Sequence, residues 1–214
     1  MRTFIKLTNT PSRPIPAEWQ DDDVRYPDAI VAYFLQEWTR PGDVVFDLFA
    51  GFGTTLIVAE AMERKPVGLE YDHARVEYIR TQLRDPEAIT HGDARQLASY
   101  GLPQFDLLVT SPPYMQRDDP TDPLAAYGTP GRGYAIYLDD MQAIFAQVAP
   151  LMKSGAKVVI EVANLKGAND VTTLAWDIAH AVGAVLHFEG EIVVGWDPHY
   201  GYGYDHSYCL VFTG

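Results

Sequence analysis

Apolar residues recur along this chain in two patterns, and the alternation between them sets out the fold. Short continuous runs read as strands buried on both faces: Val44 to Phe49, Pro66 to Tyr71, Ala88 to His91, Phe105 to Thr110, Lys157 to Val162, Val185 to Trp196 and His206 to Phe212. Between them lie helical repeats. Ile30, Val31, Phe34, Leu35 and Trp38 return at spacings of three and four, as do Met141, Ile144, Phe145 and Val148 within a helix expected over Asp139 to Leu151. Further helices are expected over Leu56 to Met62, His73 to Leu83 and Val171 to Val182. Strands alternating with helices predict an α/β fold with a seven-stranded, mostly parallel sheet. The short connection between the last two strands makes the C-terminal strand antiparallel.

Residues 1–24 stand apart from this alternation. Pro11, Pro14, Pro16 and three consecutive aspartates suggest an extended N-terminal arm, with a short strand over Thr3 to Leu7. Residues 25–214 then form one domain, and 214 residues suffice for one well-built core.

Composition adds three constraints. A single cysteine, Cys209, lies in an apolar run, which excludes an internal disulfide framework and points to a core residue in a reducing, cytoplasmic setting. No stretch approaches the ~18 apolar residues of a membrane span, so no membrane partner is expected. The net charge of −13 argues against a broad electrostatic grip on nucleic acid, and the basic residues form no run.

The chemistry begins in Asp43-Val-Val-Phe-Asp-Leu-Phe-Ala-Gly-Phe-Gly-Thr-Thr55. Gly51 and Gly53 allow a tight turn and a close approach to a ligand, with Thr54 or Thr55 placed to cap the next helix. No lysine follows Gly53, which excludes a Walker phosphate loop, and Leu56 occupies the third glycine position of a dinucleotide fingerprint. Asp47, at the end of an apolar strand, is a costly carboxylate unless it meets donors. Glu70 ends the second strand 17 positions after Gly53, close to the interval at which an acid meets a ribose, and one carboxylate can accept from two hydroxyls. Gly92-Asp93-Ala94 repeats the arrangement at the third strand end.

Asp-Leu-Phe-Ala-Gly-Phe-Gly-Thr-Thr resembles the first motif of S-adenosylmethionine-dependent methyltransferases, whose class I members share a Rossmann-like sheet. The resemblance implies S-adenosyl-L-methionine as cofactor, held by Tyr26, Asp47, Phe49, Ala50, Gly51, Gly53, Thr54, Thr55, Glu70, Tyr71, Asp93 and Ala94. In that family the acid at Asp47 supports the loop and the methionine end of the cofactor, and the acid at Asp93 accepts from the adenine amino group or a neighbouring donor.

The second motif is Ser111-Pro-Pro-Tyr114, directly after the fourth strand. Two prolines end the ladder and fix a rigid loop at the ligand edge of the sheet. The tetrapeptide resembles the catalytic motif of amino-methyltransferases, which implies Ser111, Pro112, Pro113 and Tyr114 as catalytic residues. An exocyclic amino group is a poor nucleophile. Hydrogen bonds from it to the Ser111 hydroxyl oxygen and the Pro112 carbonyl would turn its lone pair toward the sulfonium methyl, while Tyr114 stacks on the base. By resemblance, serine in the first position favours cytosine N4 over adenine N6. Carbon-5 cytosine chemistry needs a cysteine nucleophile, and Cys209 is far from the motif in sequence.

Residues 115–137 lack a period and read as a loop that closes over substrate, in which Arg117 and Arg132 are candidates for phosphate contacts. Asp197 to Asp205, rich in Gly and Tyr, is a second candidate rim; His199 and His206 with Asp197 and Asp205 lack metal-ligand spacing, so no metal is expected. The expected activity is methyl transfer to a nucleobase amino group, in DNA ahead of RNA. No target-recognition domain is evident, so a homodimer or a partner subunit is expected to supply recognition. The alternatives are an amide-nitrogen or small-molecule N-methyltransferase, and a non-catalytic subunit of the same fold.

Overall fold

The computed structural model describes residues 2–10, 13–22, 25–167, 170–198 and 201–214. In chain order the elements are β1 (Phe4–Thr8), α1 (Asp28–Trp38), β2 (Val44–Asp47), α2 (Thr54–Ala61), β3 (Lys65–Glu70), α3 (His73–Gln82), β4 (Ile89–His91), β5 (Phe105–Thr110), α4 (Tyr134–Val148), β6 (Met152–Val162), β7 (Leu165–Lys166), β8 (Val171–Thr172), α5 (Leu174–Gly183), β9 (His187–Asp197) and β10 (His206–Thr213). The main sheet has the order β1-β9-β10-β6-β5-β2-β3-β4. β10 runs antiparallel to both β6 and β9, and the other pairings are parallel.

The expected seven strands are therefore eight. The extra one is β1, which pairs in parallel with β9 from Phe4–Val193 to Thr8–Asp197. The arm thus begins inside the sheet: Ile5 is buried and satisfies the apolar face of the edge, while Phe4 and Lys6 face outward. The small β7–β8 hairpin lies outside this sheet.

Alternation along the central strands explains the three layers. On one face Val45, Leu107, Val109 and Val159 pack against Ile30, Phe34 and Leu35 of α1 and Val58 of α2. On the other, Phe46, Leu108, Val158 and Ile160 pack against Met141 and Phe145 of α4 and Ile178 of α5. Strands covered on both sides carry no polar face, which is why their sequences read as unbroken apolar runs. Cys209 is fully buried in the first of these layers, where burial pushes its thiol well above the ordinary value.

Helix starts depart from expectation for local reasons. α2 is not capped by Thr54 or Thr55: its N-cap is Gly53 in the left-handed region at φ +79°. A Cβ there would also lie 3.0 Å from the Ile79 side chain, so Gly53 answers to packing as well as to turn geometry. α4 begins five residues before Asp139, at Tyr134, because Tyr137 extends its buried stripe. α5 begins at Leu174, since Val171 and Thr172 belong to β8. Among the described residues, no helix is long and apolar enough to cross a membrane.

Strand order reverses direction between β2 and β5, from which the chain builds outward on both sides. A crevice outside the carboxyl ends of such strands is the usual ligand position in an open α/β sheet. Those two ends carry Asp47 and Thr110-Ser111.

Candidate active site

A cleft of about 650 Å³ opens at this edge, within the ordinary range for a small-molecule site. Tyr26, Phe49, Ala50, Gly51, Thr54, Glu70, Tyr71, Asp93, Ala94 and all of Ser111 to Tyr114 line it. The structure thus brings the two motifs and all three strand-end segments around one space. Asp47, Gly53 and Thr55 are not among the lining residues and act from beneath it. Arg25 and Arg75, whose guanidiniums lie 5.9 and 4.7 Å from the Phe52 ring centre, add positive charge to the wall.

Beneath the glycine loop, Asp47 is 1% exposed and accepts three hydrogen bonds: from Thr110 Oγ1 at 2.6 Å, Phe49 N at 3.1 Å and the Tyr26 hydroxyl at 3.1 Å. The Tyr26 hydroxyl also meets Thr55 Oγ1, which reaches the Val109 carbonyl at 3.3 Å. One carboxylate therefore ties together the segment before α1, the glycine loop, and the residue preceding Ser111. Burial holds its carboxyl above the ordinary value despite these donors. Burial first, and the nearby Asp47 charge second, raise the Tyr26 phenol well above its own.

Glu70 closes the loop from the other side. Its Oε2 accepts from Gly51 N at 2.7 Å and its Oε1 from Asp72 N at 2.9 Å. Gly51 sits at φ +57°, where a side chain would be strained. Glu70 is 7% exposed, and burial raises its carboxyl in spite of the two N–H donors. Each oxygen has a second lone-pair direction left over from the single bond it accepts.

Asp93 is more heavily engaged than its Gly-Asp context suggests. Arg95 binds it through Nε and the Nη2 amine, at 3.0 and 2.7 Å to Oδ2, and extends Nη1 to Asp122 at 3.0 Å. The arginine, its charge form reinforced chiefly by Asp93, thereby fastens the segment after Tyr114 to the end of β4. Pro123 and Leu124, next to Asp122, help line the cleft.

In the second motif, the Ser111 hydroxyl donates to Glu161 Oε2 at 3.0 Å, and the Tyr114 hydroxyl donates to the same oxygen at 3.0 Å. Glu161 is 1% exposed and stands on β6 opposite Cys209. Two neighbouring carbonyls are tied by tyrosines: Tyr137 from α4 donates to Pro113 O at 3.0 Å, and Tyr127 to Tyr114 O at 2.6 Å. Tyr202, from the β9–β10 connection, sets its ring 5.3 Å from that of Tyr114 and lines the cleft mouth. Tyr202 is thus part of the rim, and His199 lies outside the described residues.

Glu161 is a residue of the candidate site that the sequence alone does not point out. Its signal was an acid inside the apolar run Val158-Val-Ile-Glu-Val-Ala163, the same feature that singled out Asp47. Arg117 and Arg132, by contrast, are not brought to the cleft. Arg117 donates to Thr173 Oγ1 at 3.1 Å and pairs with Asp177 at 3.6 Å, and Arg132 pairs with Asp140. Each faces an acid on the adjoining helix, which is the closer and cheaper partner for an arginine in so acidic a chain.

Known proteins agree with this architecture. A family model for DNA methylases of the N6 and N4 type matches residues 15–81, the segment containing the glycine loop and Glu70. A curated relative, the DNA adenine methyltransferase YhdJ of Escherichia coli, is 36% identical over 81 residues. That match takes in 38% of this chain and 26% of the relative, so the chain spans about a quarter of its length. Among solved structures, TrmN from Thermus thermophilus superposes with a TM-score of 0.61 at 16% identity, covering 94% of this chain and 54% of that one. PH0226 from Pyrococcus horikoshii superposes with a TM-score of 0.58 at 14% identity, covering 92% of each. A TehB-like S-adenosylmethionine-dependent methyltransferase from Corynebacterium glutamicum gives 0.56 at 16% identity over 86% of each chain. The family model thus matches the segment that carries the glycine loop, and the solved structures show a Rossmann-like α/β fold over most of the chain.

Proposed function

We propose that this protein transfers a methyl group from S-adenosylmethionine to an exocyclic amino nitrogen of a nucleobase, with cytosine N4 in DNA as the first target. The observation that carries the reading is the Ser111 hydroxyl: its proton is directed at Glu161, so its lone pairs are available to accept from a substrate N–H. Ser111 and the Pro112 carbonyl orient the amino group, and Tyr114 stacks on the base with its hydroxyl anchored.

The cofactor fits the residues present. Glu70 would hold the ribose hydroxyls through its remaining lone pairs, the Gly51 segment would pass close to the methionine part, and Tyr71 and Ala94 would flank the adenine. Asp93 would contribute through its pairing with Arg95 in place. Asp47, Thr55 and Gly53 support the floor without touching the ligand. When bound, the sulfonium supplies an electrophilic methyl group. The chain's own task is to aim a nitrogen at it and exclude water, and the segment fastened by Arg95 contributes to that exclusion.

A base within a duplex must leave the stack to reach Ser111. The net charge of −13 and the pairing of Arg117 and Arg132 with acids favour recognition by a second subunit or by unpaired nucleic acid over a broad phosphate grip. Adenine N6 is the second reading, favoured by the similarity to the DNA adenine methyltransferase YhdJ.

Methyl transfer from radiolabelled S-adenosylmethionine to single-stranded and duplex oligonucleotides of defined composition tests the proposal. Label in cytosine-containing, adenine-free strands supports cytosine N4. Label only in adenine-containing strands moves the assignment to N6, and label in neither removes the nucleobase reading.

A further inference from the structure

Glu161 is a buried carboxylate that the binding of cofactor and base leaves without a task. We propose that Glu161 is the group that receives the proton released by the methylated nitrogen, relayed through the Ser111 hydroxyl, and that it orients Ser111 and Tyr114 before transfer. The inference rests on the amino-methylation reading but not on which base is methylated.

Three observations support it. Both hydroxyls of the motif donate to one oxygen of one carboxylate, at 3.0 Å each, an arrangement that fixes two rotors at once. The carboxylate is 1% exposed and lies on β6, a rigid central strand, rather than on the motif loop. No sheet pairing requires an acid there, since its neighbours Ile160 and Val162 and its partner Cys209 are buried apolar positions. A carboxylate in such a place is costly unless it meets donors, and the donors it meets include both hydroxyls of the second motif.

The step balances without a further reagent. As the new C–N bond forms and the C–S bond breaks, the positive charge passes to the nitrogen, which becomes acidic. The nitrogen then gives its proton to Ser111 Oγ while Ser111 gives its own to Glu161 Oε2. The carboxylate becomes a neutral carboxylic acid and the product leaves as the neutral N-methylated substrate. Among the described residues, the titratable groups that face Glu161 include Tyr114 from the motif, Tyr26 before α1, Tyr202 from the β9–β10 connection and Cys209 on β10. Burial is the first cause raising the last three above their ordinary values. They therefore stay protonated and neutral at neutral pH.

The test compares Glu161→Gln and Glu161→Asp with the wild type in single turnover, on whichever nitrogen substrate the wild type methylates, with melting temperature and S-adenosylmethionine affinity measured alongside. Glutamine keeps a carbonyl oxygen that can accept from both hydroxyls but takes no proton. The expected result is a single-turnover rate lower by at least about 100-fold in Glu161→Gln, with partial recovery in Glu161→Asp and cofactor affinity within about threefold. Infrared difference spectra should show a protonated-carboxyl band appearing on turnover of the wild type and absent in Glu161→Gln. A Glu161→Gln rate within threefold of wild type, or a band that persists in it, overturns the proposal. A wild type that methylates only amide nitrogen would refute the nucleobase reading and leave this comparison intact. If the glutamine variant fails to fold, Glu161→Asp provides the test: a turnover band moved to the frequency of an aspartic acid supports the relay, and a band unchanged from the wild type overturns it.

Discussion

Thr110→Val isolates the bond that joins the strand ending at Asp47 to the strand that leads into Ser111. Threonine and valine have nearly the same shape, and Thr110 is fully buried, so the change removes a hydroxyl without opening a cavity. What it removes is the 2.6 Å donation to Asp47 Oδ1. A buried hydrogen bond to a charged acceptor contributes about 1.5–3 kcal/mol. Asp47 retains the donors Phe49 N and Tyr26, which keeps the expected loss within that range. The loss should also depend on pH. Burial raises the Asp47 carboxyl, and the Thr110 hydroxyl is the largest influence drawing it back down. Without that hydroxyl the folded-state pKa rises further, and ionising Asp47 then costs more stability than in the wild type. At pH below both folded-state values the carboxyl is protonated in both proteins, and the gap shrinks toward the ~1 kcal/mol of a neutral bond. As pH rises through them the gap widens to its full size. Urea denaturation of both proteins across this range measures it. A gap under about 0.5 kcal/mol at neutral pH, or one that narrows as pH rises, would refute the reasoning.

Other predictions address the ligand side. Glu70→Gln should weaken S-adenosylmethionine binding at least tenfold by calorimetry, about 1.4 kcal/mol. In the wild type that affinity should fall as pH is lowered through the raised Glu70 carboxyl, and the variant should show a flatter profile. Tyr114→Ala should lower turnover by an amount equivalent to about 1–3 kcal/mol of lost stacking, leaving cofactor affinity nearly unchanged; equal losses in both would make Tyr114 a structural residue. Arg95→Met should free the segment around Asp122, detectable as faster limited proteolysis between residues 115 and 133, with little change in the melting of the sheet.

The sheet and the glycine-loop side of the cleft were legible in the sequence because both depend on local signals. Unbroken apolar runs, two glycines at a strand end and an acid inside an apolar run are read directly from neighbouring residues. β1 was harder to see as an integral strand, because its partner β9 lies far along the chain and only the pairing gives Ile5 a buried place. The first turn of α4 is hidden in the sequence because Tyr134 and Tyr137 stand in a Gly- and Tyr-rich stretch, yet Tyr137 places its ring in the core and its hydroxyl on the Pro113 carbonyl. Arg117 and Arg132 were misdirected for a related reason: a basic residue in an acidic chain finds a local carboxylate before a distant phosphate. Glu161 carried the same sequence signal as Asp47, but no glycine loop or proline pair follows it. Its meaning appears only when β6 is placed beside β5 and the Ser111 and Tyr114 hydroxyls converge on it.

The central claim, that the cleft methylates a nucleobase amino nitrogen, is tested most directly by mass spectrometry of nucleosides. DNA and RNA are incubated separately with the protein and S-adenosylmethionine carrying a deuterated methyl group, then digested. The account predicts a deuterated N4-methylcytosine or N6-methyladenine nucleoside that disappears with Ser111→Ala. Deuterated methyl groups found only on protein or small amines, or on carbon 5 of cytosine, would contradict it.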